Sequence, residues 1–107
     1  MKVSIIVPTL NEELVLEKTL TQFQQLSPHE LIVSDGGSDD DTRNIAGRFS
    51  HRVITGSAGR ALQMNVGADE ATGDILLFLH ADSRIEPESY RKMQQCMQNP
   101  KWIGGAF

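Results

Sequence analysis

Asp35 is the first residue whose type and position could do chemistry. It follows the apolar run at 31–33 and precedes Gly36 and Gly37. Because glycine has no Cβ, a base or a ribose could come close to the backbone there and bond to the carboxylate. The alternative is a plain strand-to-helix turn, and in either case we expect Ser38 to cap the helix that follows.

Asp82 follows the most apolar run of the chain, at 75–79. Its carboxylate suits Mg²⁺ or Mn²⁺, hard cations that take oxygen ligands and often keep waters and substrate phosphates in their shell. A departing diphosphate needs such charge neutralisation. The alternative is that Asp82 caps the helix that begins near Glu86. His80 could ligate a metal or could simply end a strand in the core.

The segment 56–60, Gly-Ser-Ala-Gly-Arg, leads into a helix. Backbone N–H groups at a helix start and the positive charge of Arg60 favour an anion. The segment lacks the Gly-Lys-Ser/Thr ending of a P-loop, and no glycine-rich turn follows the first strand as in dinucleotide-binding folds. The alternative for Arg60 is a solvated helix residue. Gln63 and Asn65 either face a ligand or are exposed.

The apolar pattern predicts alternating strands and helices. We expect strands at 3–7, 30–33, 52–55 and 75–79, and a fifth beginning within 102–107. Apolar stripes predict the four helices between them: Leu14, Leu16, Leu20, Phe23 and Leu26; Ile45 and Phe49; Ala61, Met64 and Ala68; Tyr90, Met93 and Met97.

Polar residues, glycine and proline mark the expected helix ends. Thr9 or Asn11 could cap the first helix, with Glu12 three residues after Thr9 as in a capping box. The pair Ser38 and Asp41 predicts the start of the second helix. Gly73 fits the end of the third helix, and Pro87 suits the first turn of the fourth.

This alternation predicts an α/β fold: one domain over residues 1–107, with a mostly parallel sheet, right-handed crossovers and helices on both faces. Ligands of such Rossmann-like folds bind beyond the carboxyl ends of the strands. The segments 8–12, 34–38 and 80–82 all fall at those ends. We therefore expect strands one, two and four to be adjacent, and Asp35 and Asp82 to open onto one cleft.

Composition narrows the possible partners. The 107 residues carry a formal net charge of −4 and no basic run, which argues against a nucleic-acid partner. A single cysteine permits no internal disulfide and fits a reducing compartment. The first apolar run is too short for a signal peptide, and no run approaches the length of a membrane span. We expect a soluble cytoplasmic protein.

Four segments together resemble the inverting family 2 glycosyltransferases of the GT-A fold. Residues 4–12 resemble that family's opening strand and its Pro-x-x-Asn-Glu loop. Residues 31–42 are similar to its Val-Asp-Asp-Gly-Ser-x-Asp-x-Thr segment, and residues 73–82 to its strand ending in Asp-Ala-Asp. Residues 59–68 look closest to a bacterial subgroup of small transferases. The resemblance covers essentially the whole chain.

The resemblance implies a role for each matching residue. Pro8, Thr9 and Glu12 would line the nucleotide pocket, and Asp35 would contact the base, most often uracil. Arg60 would lie near the diphosphate or the sugar. Asp82 would hold Mg²⁺ or Mn²⁺ together with the bound nucleotide diphosphate. The implied partner is a nucleoside-diphosphate sugar, UDP-linked, and the implied reaction is metal-binding transfer of its sugar to an acceptor.

Two positions depart from the family pattern. Gly36 stands where many members have a second aspartate, and His80 stands at the first acid of the Asp-x-Asp motif. We expect the first departure to remove a nucleotide contact, and the second to alter the geometry and affinity of the metal site.

Relatives of this family are longer, and their acceptor site and catalytic base follow the segment that resembles 103–107. We therefore expect this truncated GT-A chain alone to transfer no sugar, and to form a homo-oligomer through its apolar segment 102–107. Two alternatives remain: a truncated nucleotide-binding module without turnover, and a nucleotidyltransferase. The latter is disfavoured because those enzymes have a loop rich in Gly and Lys/Arg after strand one, where this chain has Thr-Leu-Asn-Glu at 9–12.

Overall fold

The computed structural model describes residues 2–96 and 105–106 of the chain. Its strands are β1 (Val3–Thr9), β2 (Glu30–Asp35), β3 (Arg52–Thr55), β4 (Ile75–Phe78) and β5 (Gly105–Ala106). Its helices are α1 (Leu16–Gln24), α2 (Thr42–Phe49), α3 (Arg60–Glu70) and α4 (Pro87–Cys96). The predicted alternation is confirmed, whereas Met97, residues 102–104 and Phe107 lie outside the described residues.

The sheet has the order β3-β2-β1-β4-β5, and all four of its pairings are parallel. The prediction that strands one, two and four are adjacent and parallel is therefore confirmed. The central strand β1 has β2 and β4 as neighbours, so the chain reverses its direction of winding on either side of β1. Ligands of open α/β sheets bind at such a point, beyond the carboxyl ends of the strands.

Helices cover both faces of the sheet, as predicted, but unequally. Alternate residues of β1 and β2, such as Ile5 and Val33, form one apolar core with α1, α2 and α4. The opposite face carries α3 alone among the described helices. There Gly67 lies against Ile6, and a Cβ added to Gly67 would stand 2.5 Å from the Ile6 Cγ2 atom. The close approach of α3 to β1 therefore requires glycine at this position.

The predicted caps of α1 and α2 are wrong. No side chain caps α1, which begins at Leu16; Thr9 belongs to β1, and Asn11 lies in the left-handed region with φ 53°. The second helix begins at Thr42, later than the pair Ser38 and Asp41 predicts. Ser38 bonds to the end of β2 instead. The caps are absent because Thr9 and Ser38 both donate to Asp35 at the end of β2, whereas Asn11 accepts from the Asp39 N–H.

The predicted role of Gly73 is also wrong, since α3 ends at Glu70 with Ala71 in an extended conformation. Gly73 is instead required by space, because a Cβ there would stand 2.4 Å from the Ser4 hydroxyl oxygen. Pro87 does occupy the first residue of α4, as predicted. In the first helical stripe, Leu16, Leu20 and Phe23 are fully buried, whereas Leu14 is 94% exposed.

A polar cluster joins the sheet at the amino ends of its strands. The half-buried Glu30 carboxylate accepts hydrogen bonds from the Ser4 hydroxyl, at 2.6 Å, and from the backbone and hydroxyl of Thr72. These bonds tie the segment that enters β4 to β1 and β2. They also lower the pKa of Glu30, outweighing the opposing effect of burial.

No helix within the described ranges has both the length and the apolar character needed to cross a bilayer.

Candidate functional site

A cleft of about 450 Å³ opens at the carboxyl ends of β1 and β4. This volume falls within the range of small-molecule sites. Its wall is formed by Pro8, Thr9, Leu10, Glu12, Gly59, Arg60, Gln63, His80, Ala81 and Asp82. Five of the six residues that the sequence singled out line this one cleft, although three separate segments of the chain supply them.

Glu12 and Asp82 bring two negative charges to the cleft. The pKa of Glu12 is raised, first by partial burial and then by repulsion from the carboxylates of Asp82 and Asp40. Asp82 is exposed and lies within a turn in which the His80 N–H donates to the Ser83 hydroxyl at 2.9 Å. A cation between Glu12 and Asp82 would offset their repulsion.

The protein alone offers few ligands for a cation. Within the described part of the chain, no group of three or more His, Cys, Asp and Glu side chains could hold a metal ion. Magnesium sites commonly use one or two carboxylates and fill the remaining positions with waters and substrate phosphates. The pair of Glu12 and Asp82 therefore fits a cation that a phosphorylated ligand helps to bind.

Asp35 lies behind the cleft wall, contrary to the expectation that its carboxylate opens onto the cleft. The residue is 1% exposed. One carboxylate oxygen accepts from the hydroxyls of Thr9 and Ser38, and the other from the backbone N–H groups of Gly37 and Ser38. Burial favours the neutral acid, but these four donors outweigh it and lower the pKa of Asp35.

The contact of Asp35 with a base therefore stays a prediction, and one of its four donors must give way for it to form. In the structure, Asp35 supports the cleft through Thr9, whose hydroxyl it holds at 2.8 Å.

Five hydrogen bonds join the loop after β1 to the segment that follows β2, which includes the first residue of α2. Each runs between a backbone N–H of one segment and a side chain of the other: Asn11 to Ser38, Glu12 to Thr42, Glu13 to Asp40, Asp39 to Asn11, and Asp41 to Glu13. We call this set the loop bridge. It fixes the segment that carries Leu10 and Glu12, and so forms one side of the cleft.

Arg60 is the first residue of α3 and is exposed. A positive charge at a helix amino terminus opposes the helix dipole, so helix stability does not explain its position. Among the ion pairs of the described residues, none involves Arg60. Its guanidinium is therefore available to an anion in the cleft. The family resemblance implies that this anion is the diphosphate or that Arg60 lies near the sugar.

Gln63 settles the open question about the two amides of α3. It is buried, 6% exposed, and lines the cleft, whereas Asn65 is exposed. The helix that Ala61, Met64 and Ala68 predict is confirmed as α3, but its buried residues are Gln63 and Gly67. These two are four residues apart and so share one helix face. Their spacing was the only sequence signal for this buried face, and an apolar pattern could not reveal it because neither residue is apolar.

His80 is half-buried and lines the cleft beside Asp82. Its position at the first acid of the Asp-x-Asp pattern leaves Asp82 as the carboxylate at the end of this strand.

Comparison with known proteins places the chain in one family. A family model described as "Glycosyl transferase family 2" matches residues 4–105. A PGL/p-HBAD biosynthesis glycosyltransferase of Mycobacterium bovis is 42% identical over 91 residues, covering 77% of this chain and 36% of that protein. The dolichol-phosphate mannosyltransferase of Pyrococcus furiosus is 31% identical over 108 residues, covering 92% of this chain and 31% of that protein.

Solved structures share the fold. The crystal structure of TarS 1–349 from S. aureus matches with a TM-score of 0.78 and 27% identity over 92% of this chain and 32% of that chain. Glucosyl-3-phosphoglycerate synthase from Mycobacterium tuberculosis, in complex with Mn²⁺ and UDP-glucose, matches with a TM-score of 0.64 and 29% identity over 76% of this chain and 33% of that chain. The GT-A fold expected from the resemblance is confirmed. The chain spans about a third of the length of these relatives.

Proposed function

Since this chain belongs to glycosyl transferase family 2, we propose that its cleft binds a nucleoside-diphosphate sugar, UDP-linked, as the donor for sugar transfer. The sugar passes to an acceptor hydroxyl with inversion at the anomeric carbon. The observation that carries the proposal is the meeting of Thr9, Arg60 and Asp82 in one cleft at the carboxyl ends of the central strands.

Each wall of the cleft suits one part of such a donor. Pro8, Thr9 and Glu12 lie on the side fixed by the loop bridge, where the nucleoside binds. Asp35 lies behind Thr9 and bonds to the base only after one of its four donors gives way. Arg60 binds the diphosphate by charge-assisted hydrogen bonds, which are about twice as strong as neutral ones. In this proposal the diphosphate leaving group lies between the guanidinium of Arg60 and the carboxylate of Asp82.

Asp82 would hold Mg²⁺ or Mn²⁺, and the charge of Glu12 adds to the attraction. A bound cation neutralises charge on the departing diphosphate. The two protein carboxylates are too few for a tight site without the substrate's oxygens. The relative crystallised with both Mn²⁺ and UDP-glucose supports this pairing of cation and nucleotide.

Binding and transfer are separate parts of the proposal. The proposed donor site lies within the described residues, and the chain spans about a third of the length of its relatives. The alternative, a nucleotide-binding module without turnover, shares every binding result below. Only an assay for transfer of the sugar to an acceptor distinguishes the two functions.

The test is calorimetric titration of UDP into the protein with and without Mn²⁺. We expect UDP to bind more tightly with Mn²⁺, and Asp82→Asn to abolish that difference. Asp69→Asn removes an exposed acid from the far end of α3 and should leave the difference intact. Absence of UDP binding, or an unchanged Mn²⁺ effect in Asp82→Asn, would contradict the proposal.

A further inference from the structure

We propose that Gln63 is a positioning residue of the donor site. Its carboxamide holds the start of α3, and therefore Arg60, against the ends of β1 and β2, in space that a side chain at position 36 would otherwise need. The inference rests on the proposed function, because the placement of Arg60 matters only if the cleft binds a diphosphate.

The side chain of Gln63 bonds to three different elements. Its Nε2 group donates to the carbonyl oxygens of Thr9 and Ser34, each at 2.8 Å. Its Oε1 atom accepts from the Gly59 N–H at 3.0 Å. Gly59 directly precedes Arg60 along the chain, so the amide links the helix start to both strand ends.

The environment permits only one orientation of this amide. A flipped amide would turn Oε1 toward two carbonyl oxygens and Nε2 toward a backbone N–H, losing all three bonds. The carbonyl of Thr9 also accepts the Gly36 N–H at 2.9 Å, so both of its lone pairs are used. Removal of the buried amide would leave the Gly59 N–H without this acceptor and would take one of its two donors from the Thr9 carbonyl.

Gly36 is the steric complement of Gln63. A Cβ at position 36 would stand 2.8 Å from Gln63 Oε1 and 3.0 Å from Ala58 Cα. Gly36 is not among the residues with positive φ. Space, and not backbone conformation, therefore excludes a side chain there.

This pairing accounts for one departure from the family pattern. At the position where many family members have a second aspartate, this chain has Gly36. The neutral amide of Gln63, from α3, fills the adjacent space. The chain therefore has a single carboxylate, Asp35, at the end of β2.

The experiment measures binding of UDP and of uridine, both with Mn²⁺, to wild type, Gln63→Met and Gln63→Glu. Gln63→Met keeps the length of the side chain and removes its hydrogen bonds, and Gln63→Glu keeps the shape but turns a carboxylate toward two carbonyls. We expect UDP to bind about tenfold more weakly to both variants, the size of effect of one lost hydrogen bond. Uridine, which lacks the diphosphate, should change by less than about twofold.

Comparing the affinities for UDP and for uridine separates a positioning role from a general loosening of the fold, because loosening would weaken the binding of both ligands equally. Asn65→Ala, which removes an exposed amide from the same helix, should change neither affinity. Unaltered UDP affinity in Gln63→Met and Gln63→Glu, or an equal loss for both ligands, overturns the inference while leaving the proposed function standing. Failure of wild type to bind UDP overturns the proposed function itself.

Thermal unfolding of Gly36→Ala provides a second measurement. In the wild-type background, Gly36→Ala should lower the Tm by several degrees. In the Gln63→Ala background the same substitution should lower the Tm by clearly less, because the smaller side chain at position 63 leaves room for the methyl group. Some loss remains because Ala58 Cα is also close. Equal losses in the two backgrounds would overturn the steric pairing.

Discussion

The hydroxyl of Thr9 donates a 2.8 Å hydrogen bond to the carboxylate of Asp35, and the two residues are also partners in the register of β1 and β2. Thr9 lines the cleft, whereas Asp35 lies behind it. Asp35, which the sequence predicts to contact a ligand, therefore holds a residue of the cleft wall in this structure. Its contributions to stability and to binding can be measured separately.

We expect Asp35→Asn to lower the free energy of unfolding by about 2–3 kcal/mol, because two of the four donors would then face an amide NH₂ group. Urea unfolding followed by circular dichroism measures the loss. Asp39→Asn is the matched control, since Asp39 is exposed on the following loop. Equal stability of the two variants would show that the four bonds to Asp35 contribute little.

Acidification should destabilise the protein through Asp35 and Glu30. Both pKa values are lowered from the ordinary 3.8 and 4.5, by donors that bind the charged form. A lowered folded-state pKa contributes stability that is present above the unfolded value and is lost as pH falls through the folded value. We therefore expect the Tm to begin falling near pH 4.5 and to keep falling below pH 3.8.

The variant Glu30→Gln tests the origin of that loss. It should have a lower Tm than wild type at pH 7 and a smaller further decrease on acidification. A Tm profile parallel to that of wild type between pH 7 and pH 3 would assign the acid sensitivity to other groups.

Two glycines in helices should respond to alanine with opposite signs. Gly67→Ala should lower the free energy of unfolding by about 1–3 kcal/mol, because its methyl group would collide with Ile6. Gly47→Ala in α2 should raise it by about 0.5–1 kcal/mol, since a Cβ there meets nothing within 4 Å. Chemical unfolding of both variants checks the pair, and a gain in stability for Gly67→Ala would contradict the close packing of α3.

Part of the salt dependence of UDP binding should come from the charge of Arg60. We expect the UDP affinity of wild type to fall as ionic strength rises, because an exposed guanidinium is screened by salt. Arg60→Ala should bind UDP about tenfold more weakly at low salt and show a shallower dependence. Arg43→Ala removes an exposed charge from α2 and serves as the control. Identical salt slopes for Arg60→Ala and wild type would remove Arg60 from the diphosphate site.

The order of elements could be predicted from the sequence because the strands are buried apolar runs separated by amphipathic helices. The end of β1 could not be predicted: the apolar pattern ends the strand at residue 7, immediately before Pro8, whereas β1 extends to Thr9. The Ile6 carbonyl bonds to Leu79 N–H, on the β4 side. Residue 8 faces the same side, where β4 has already ended at Phe78. The missing N–H of Pro8 therefore costs no ladder bond, and β1 continues to Thr9.

The location of the site was predictable for the same reason: parallel topology brings distant strand ends to one rim. The role of Gln63 was not, because it depends on bonds to Thr9 and Ser34, residues 54 and 29 positions away. The burial of Asp35 was missed because its four donors come from side chains and turns whose geometry only the folded chain defines. Sequence patterns locate acids at strand ends but do not show which of them are already satisfied.

The loop bridge means that much of the cleft is preorganised. Its five bonds connect residues 27 to 30 positions apart, so the segment that carries Leu10 and Glu12 becomes ordered when the chain folds. A ligand that arrives later does not have to immobilise that segment, which would otherwise cost about 1–2 kcal/mol of backbone entropy per residue. Binding energy is then left for holding the ligand in its reactive geometry.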